Sequence, residues 1–451
     1  MTTTIFWFRQ DLRLHDQVAL KFALDRMTHT KDQIRENAEP AHFLLPVVCL
    51  PDFVQTSPWG FARMSSLRRY WVLSALQDLS EQLKKLGCPL LICPLHASLA
   101  LPQLARHVGA QDIVCEEIAA PEEQAEVAAL RDAGLHVHTV WQSSLLAPDD
   151  LSWDRQHLPQ VFTQFRQIIE SKAIVPPPCL PAPSNLPPWP ETSIPVHLQV
   201  ELQQLTLDHP KVDSRSSFPL GALGFAGGET DALAHLKQYF FALRPHTYKQ
   251  TRNGLMGLDF SSKWSPWLAH GALSARYAYA ELKQFEQEYG ANEGSYWLWF
   301  ELLWRDYFRF LHLQYGAKLY RAEGLNAMAV ACNSEVNQHQ DQIKFEAWCQ
   351  AKTGEKLIDA AMTELRLTGY LSNRLRQVLA SYLIYELEGD WRAGAAWFES
   401  CLIDYDVYSN QGNWLYIAGK GTDPRGGRRF NVAKQVHDHD RDGCYQRTWC
   451  A

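Results

Sequence analysis

The sequence predicts an α/β domain built on a parallel sheet, joined by a long proline-rich connector to an all-helical domain. Three observations carry this reading. Short β-rich runs alternate with helical stretches through the first third of the chain. Nine of the 24 prolines then fall between Pro176 and Pro195. From about Gly228 onward, apolar residues recur with helical spacing and β-like runs are few. The expected boundaries are 1–145, 146–227 and 228–451.

Taken in order, Thr2–Arg9 reads as the first strand and Leu44–Leu50 as the second. Ser66–Leu86 has helical apolar spacing and many strong helix formers. Pro89–Leu95, Asp112–Glu117 and His136–Trp141 are further strands. No G-x-G-x-x-G follows the first strand, so the dinucleotide fingerprint is missing. Proline fixes φ and removes a donor, so the connector is an extended strap over a surface. Asp231–Leu243, Ala275–Tyr289, Ser295–Tyr315, Lys356–Thr368, Asn373–Glu388 and Trp391–Ile403 are the predicted helices of the second domain.

A chain of 451 residues, 46% hydrophobic and 21% charged, is neither disordered nor fibrous. No apolar run is long enough to span a bilayer. Met1–Arg13 enters a strand-like run with an acid at Asp11, unlike a targeting leader, so a cytoplasmic protein is expected. The net charge of -7 excludes a globally basic nucleic-acid binder but not a local basic patch. Ten cysteines without a C-x-x-C pair argue against a zinc or iron–sulfur centre and against a disulfide framework. The 16 Trp, 20 Phe and 17 Tyr serve either a large aromatic core or the stacking of flat rings and movement of electrons.

Four segments combine polar, charged and aromatic residues in ways a plain core does not need. Tyr248–Ser265 places glycines, Ser261, Ser262, Lys263 and Ser265 around a turn, which suits a phosphate or pyrophosphate; the alternative is an ordinary capped loop. Tyr296–Phe310 is aromatic almost all round. Glu301 and Trp304 share a face there, and the alternative for Glu301 is an i,i+4 ion pair with Arg305. Gly369–Gln377 opens a helix with Asn373, Arg374 and Arg376, which contact phosphate or cofactor, or simply face water. In Leu402–Tyr416, Asp404 and Asp406 alternate with aromatics in a loop, and Asn410 begins a short stretch reaching Trp414. Ribose hydroxyls or a buried arginine are candidate partners, metal binding or helix capping the alternatives.

Together and in this order these segments closely resemble the photolyase/cryptochrome family, specifically its DASH-type cryptochromes. The motifs are Trp7–Asp16 (WFRQDLRLHD), Asp150–Arg166 (DLSWDRQHLPQVFTQFR), Thr251–Ser274, Phe300–Phe310, Thr368–Gln377, Trp391–Tyr416 and Ala418–Asn431. The resemblance implies FAD, bent into a U, in the helical domain, and an antenna role for the α/β domain. Tyr248, Ser261, Ser262, Lys263, Trp264 and Ser265 would wrap the diphosphate and ribitol. Glu301, Arg305, Asn373 and Tyr405 would line the pocket, and Arg376 would pair with Asp404 beside the isoalloxazine. Asp406 would hold adenine or ribose groups, and Asn410 would face flavin N5.

The resemblance further makes Trp414 and Trp391 the inner and middle members of a tryptophan electron-hopping chain. The outer member is missing: Gln338 stands in its place, and Trp397 is an alternative exit. Over the flavin, Trp304 would stack on a damaged base pair and Glu301 would hydrogen-bond a pyrimidine dimer. Tyr416 and Gln377 are DASH-type choices where classical photolyases carry tryptophan and methionine. Arg252, Arg374, Lys420, Arg425, Arg428 and Arg429 would form a phosphate-binding rim. Glu123, in CEEIAAPEEQ, lies where a glutamate binding a 5,10-methenyltetrahydrofolate antenna is expected; the alternative is a solvated acidic helix start.

The implied reaction is light-driven. Excited reduced FAD lends an electron to a cyclobutane pyrimidine dimer, its two ring bonds split, and the electron returns. Flipping a dinucleotide costs less from a single strand, and tyrosine is a weaker platform than tryptophan, so single-stranded DNA is the expected substrate. RNA is a further candidate partner; no metal, no membrane and a monomer are expected. Competing readings are a blue-light photoreceptor without repair and a light-independent flavin electron carrier. Glu301, Trp304 and Asn410, with the chain ending at Ala451 soon after the last motif, favour repair.

Overall fold

The computed structural model describes residues 2–32, 42–151, 157–205, 212–221, 224–326 and 335–450; within these, the side chains of 29–32 and 335–340 are not described. Five strands form one parallel sheet: β1 (Thr2–Phe8), β2 (His42–Cys49), β3 (Leu91–Cys93), β4 (Ala110–Glu116) and β5 (His136–Val140), in the order β3-β2-β1-β4-β5. Each lies within a few residues of its predicted position. Successive side chains go to opposite faces, as the pleat requires. Phe6, Phe8, Leu44, Val48 and Val114 meet α1 (Val18–Asp32) and α2 (Ser66–Lys85) on one face. Ile5, Trp7, Leu45, Val47 and Ile113 meet α3 (Ala97–Val108) and α4 (Pro121–Asp132) on the other. Both faces are covered, which is why these strands read as nearly continuous apolar runs.

Within the connector lie α5 (Phe162–Ser171) and short α6 (Leu202–Leu205). Between them the chain runs as the extended strap its prolines predict. It folds back over the sheet domain, where Leu44 N–H donates to Pro188 C=O at 3.1 Å and Val200 N–H to Ile92 C=O at 2.9 Å. The helical domain follows: α7 (Glu229–Phe241), α8 (Tyr248–Thr251), α9 (Ser265–Ala269), α10 (Ala275–Tyr289), α11 (Glu293–Tyr315), α12 (Glu335–Cys349), α13 (Lys356–Thr368), α14 (Asn373–Tyr385), α15 (Trp391–Cys401), α16 (Val407–Ile417), α17 (Val432–His439) and α18 (Cys444–Trp449). One apolar cluster runs through it and takes in Leu67 and Trp71 of α2.

Buried polar contacts lock the domains together. Glu229 accepts from Leu14 N–H at 2.7 Å and from His15 N–H at 2.9 Å. Arg276 forks onto Asp16 at 2.9 and 2.6 Å. Arg13 donates to Gly271 C=O at 2.9 Å. Gly271 has φ +67°, and a Cβ there would lie 2.0 Å from Gln10 C=O, so the two backbones meet only because this residue has no side chain.

Two expectations change. The segment read as a loop before Asn410 is already helical from Val407, because Asp406 caps α16 by accepting Ser409 N–H at 2.7 Å. The helix beginning at Asn373 ends at Tyr385, not Glu388. Glu388 has φ +58°, a left-handed geometry that no helix continues through. Among the described residues no helix is long and apolar enough to cross a membrane, and no cluster of three or more His, Cys, Asp or Glu could hold a metal.

Candidate functional site

The first turn of α14, the end of α15 and the start of α16 line one cavity. Asn373, Arg376, Asp404, Tyr405, Asn410 and Trp414 line it, which brings together residues from two separately predicted segments. Ser372 caps α14 and so aims its first turn inward. Arg376 donates Nη1 and Nη2 to the two oxygens of Asp404 at 3.0 and 2.8 Å, and Nε to Leu371 C=O at 2.8 Å. Burial works against its charge, but Asp404 outweighs that and holds the pKa above the ordinary value. The result is a fixed cation at the cavity wall.

Asn410 Nδ2 donates to Ala395 C=O at 3.0 Å. That fixes the amide and leaves its oxygen for a ligand. Asp406 takes the buried-arginine and helix-capping roles among those the sequence left open. One oxygen caps α16 and the other pairs with Arg309. Burial would raise its pKa, but Arg309 and Arg305 bring it down to about 2. It lines the cavity, but as an anchor of the helix that carries Asn410 and Trp414.

The serine-rich turn is strained. Ser261 and Lys263 have φ +57° and +60°, where non-glycine residues are uncommon. Lys263 is 2% exposed, and its Nζ has no hydrogen-bond partner. It rests 3.3 Å from the Phe260 ring centroid and 4.8 Å from that of Tyr370. Burial lowers its pKa to about 7. Trp264 Nε1, also buried, lacks a partner as well. Two orphaned buried donors beside serine hydroxyls on a strained turn are what a diphosphate would satisfy. With the Arg376–Asp404 pair and the Asn410 oxygen, the residues fit FAD.

On α11 the Glu301–Arg305 ion pair is absent. Glu301 instead pairs with Arg252, whose guanidinium lies 4.3 Å from the Trp297 ring centroid. Burial raises the Glu301 pKa, and Arg252 opposes it. Arg305 turns inward and donates to the carbonyls of Ser143 and Leu268, so it ties the domains together rather than lining the cavity. Burial lowers its pKa to about 9.

Trp304 is half-buried, and one face is already covered. Phe162, 5% exposed, stacks on it with centroids 3.8 Å apart and planes 11° apart. Tyr416 meets Trp304 edge-on at 5.4 Å. Sequence reasoning gave Phe162 no role, although it lies in the quoted Asp150–Arg166 motif. Residues 152–156 of that motif are outside the described residues.

The basic rim carries less free charge than expected. Arg428 pairs with Asp423 at 2.9 Å and also donates to the Tyr416 hydroxyl; Arg429 pairs with Glu386 at 3.0 Å. Arg374 donates to the amides of Asn253 at 3.1 Å and Gln377 at 3.4 Å. Gln377 also lines the cavity and so links it to the rim.

Trp414 and Trp391 are buried, and Trp391 Nε1 donates to Ala322 C=O at 3.1 Å. Trp414 meets Phe398 at 5.1 Å and Trp348 at 6.4 Å. Trp348 is fully buried with an unpartnered Nε1. The side chain of Gln338 lies outside the described residues. Trp397 Nε1 donates to Met362 Sδ at 3.2 Å. Glu123 sits in the first turn of α4. Its backbone carbonyl accepts from Arg9 at 3.1 Å, and burial raises its carboxyl pKa to about 6.

Comparisons with known proteins agree with this geometry. A family model described as the FAD binding domain of DNA photolyase matches residues 297–451, and one described as DNA photolyase matches residues 4–184. Cryptochrome DASH of Synechocystis sp. is 42% identical over 455 residues, covering 99% of this chain and 87% of that protein. Cryptochrome DASH of Danio rerio is 40% identical, covering 99% and 82%. The crystal structure of the Synechocystis cryptochrome superposes with TM-score 0.88 at 41% identity, covering 100% of this chain and 88% of that one. A bacterial class III photolyase from Agrobacterium tumefaciens gives TM-score 0.77 at 26% identity, covering 100% and 86%.

Proposed function

The chain belongs to the photolyase/cryptochrome family, and on that premise we propose that it is a light-driven FAD enzyme splitting cyclobutane pyrimidine dimers, preferentially in single-stranded DNA. When bound, FAD supplies the light absorption and the loan of one electron. The residues that would hold it are Tyr248, the 261–265 turn, Asn373, Arg376, Asp404 and Asn410. Lys263 and Trp264 would donate to the diphosphate. Arg376, charged and fixed by Asp404, would keep negative charge at the ring edge. Asn410 would accept from a ring N–H with its amide oxygen.

The observation that carries the repair reading is the pairing of Trp304 and Glu301 on α11 with Arg252 against the carboxylate. A pyrimidine edge offers an N–H and a carbonyl oxygen. Glu301 accepts from the first when ionised and donates to the second when protonated. Burial favours the protonated form and Arg252 the ionised one, so the group suits either. Trp304 offers an indole surface backed by Phe162, and Tyr416 is steadied by Arg428. Extruding bases from a duplex costs a few kcal/mol, and stacking returns about 1–3 kcal/mol per base. Three of the six rim cations, Arg252, Arg428 and Arg429, are paired with acids, which lowers the rim's duplex affinity and supports the single-strand preference. Glu123, whose buried carboxyl lies near the charge of Arg9, is the proposed contact for a methenyltetrahydrofolate antenna on the α/β domain.

The test is an absorption spectrum of the purified protein, followed by repair of an oligothymidine bearing one dimer, single-stranded and duplex, in light and dark. Light-dependent loss of the dimer, faster in the single strand, is expected. A flavin-loaded protein that restores neither substrate overturns the repair reading. The same paired rim favours, as the alternative, a photoreceptor with weak nucleic-acid affinity. It would show light-dependent spectral change and no repair.

A further inference from the structure

The ends of β2 and β3 bring together two cysteines that lie far apart in sequence. Cys49 and Cys93 are direct partners in the parallel ladder. Register partners in adjacent strands project to the same face, with backbones about 4.8 Å apart, inside the Cα separations of roughly 4.4–6.8 Å that disulfides span. Both are free thiols; Cys93 is buried and Cys49 half-buried. The two thiols lie close enough for each to act on the other's ionisation. That contact lowers the Cys93 pKa to about 7 against the effect of burial, with help from the Leu95 backbone. It holds Cys49 well above the ordinary value, and burial, Cys93 and the carboxylate of Glu126 act in the same direction. Elsewhere burial alone dominates, and it pushes Cys88, Cys115 and Cys401 up to about 12. The reactive form is the thiolate, so Cys93 is the nucleophile of the set and Cys49 stands beside it as the resolving thiol.

We propose that Cys49 and Cys93 form a reversible dithiol–disulfide site at the carboxyl edge of the sheet, oxidised by peroxide. The Cys93 thiolate attacks one peroxide oxygen and the O–O bond breaks. Hydroxide leaves and takes a proton to become water, and Cys93 carries a sulfenic acid. Cys49 gives up its proton and attacks that sulfur. The S–S bond forms, the S–O bond breaks, and the departing hydroxide leaves as a second water. Two thiols lose two electrons to one peroxide. The parallel ladder holds the Cβ atoms near one strand spacing, wider than the ~3.8 Å of a relaxed disulfide, so a thiol reductant readily reverses the bond.

The full-length, flavin-loaded protein is treated with hydrogen peroxide in the dark, quenched in acid, alkylated in denaturant and mapped by mass spectrometry. A peptide joining Cys49 to Cys93, two hydrogens lighter than the reduced pair, is expected. It should form at least tenfold faster than Cys115 or Cys401 is lost and disappear with dithiothreitol. In Cys49→Ser the link is lost, and dimedone labels Cys93 instead. Recovery of both cysteines as separate alkylated peptides, under peroxide that oxidises exposed Cys444 and Cys450, overturns the proposal. So does oxidation of Cys49 first in Cys93→Ser at the wild-type rate.

Discussion

Phe162 lies flat against Trp304, ring planes 11° apart and centroids 3.8 Å apart. The same ring meets Phe300 edge-on at 5.1 Å and Tyr307 at 5.8 Å, so one side chain of α5 covers three residues along one stripe of α11. The flanking chain is riveted to that helix. The Tyr307 hydroxyl donates to Gln160 C=O at 2.8 Å, and Arg166 donates to the Tyr296 hydroxyl at 2.6 Å. The platform is therefore set by a segment that comes before the helical domain in sequence.

Phe162→Leu keeps bulk but removes the stack. An aromatic pair is worth about 0.5–1.5 kcal/mol beyond its buried area. Affinity for a dimer-bearing oligothymidine should fall about two- to tenfold, with flavin absorbance unchanged and Phe162→Tyr close to wild type. Fluorescence anisotropy measures this. An equal loss of affinity for undamaged oligothymidine would contradict a role through Trp304.

Glu301→Ala and Trp304→Ala should each lower light-dependent repair at least tenfold while FAD stays bound. Neither residue is part of the cavity that Arg376 and Asn410 line. Loss of the flavin spectrum in both variants would show that they hold the cofactor instead.

Asp404→Asn leaves the Arg376 guanidinium in the wall without its carboxylate. Breaking a buried pair costs about 3–5 kcal/mol. The lower end applies here, because the Arg376 side chain keeps 22% of its surface exposed. Urea unfolding of the apoprotein should show a loss near 3 kcal/mol, and flavin retention should fall as well.

Lys263 has its pKa lowered to about 7 by burial. The unfolded chain then binds more protons than the native one between about pH 7 and 10.5, so apoprotein stability rises with pH across that window. Lys263→Met should remove this rise, stabilise the apoprotein at pH 7 and weaken FAD binding. Thermal melts from pH 7 to 10 check the slope. An unchanged slope in the variant would contradict the assignment.

Glu116, at the end of β4, is fully buried with neither carboxylate oxygen partnered, and burial raises its pKa to about 8. The sign is opposite: the native state holds the extra proton, so stability falls as pH rises from about 4.5 to 8. Glu116→Gln should melt several degrees above wild type at pH 9 and differ little at pH 5. Equal melting at both values would show that Glu116 finds a partner when ionised.

Much of the site was legible because the carrying residues are close in sequence. Ser261, Ser262 and Lys263 read as an anion-binding turn, and Glu301 and Trp304 share a helical face at i and i+3. The Arg376–Asp404 pair followed from the family resemblance, and it meets the need of a buried guanidinium for a carboxylate. The points left open concern groups with several available partners. Arg305 has an acid one turn before it on the same helix and bonds to Ser143 and Leu268 carbonyls instead. Asp406 serves Ser409 and Arg309.

The sequence by itself determined the order of the layers, the faces of the strands and helices, and the family. These depend on local periodicity and on motifs contiguous in the chain. Only the tertiary structure decided that Phe162 backs Trp304, that Arg252 rather than Arg305 neutralises Glu301, and that Cys49 meets Cys93. Each of these joins residues far apart in the chain, or chooses among partners equally near in sequence. Which contact forms depends on how helices pack and strands register, and neither is written in local spacing.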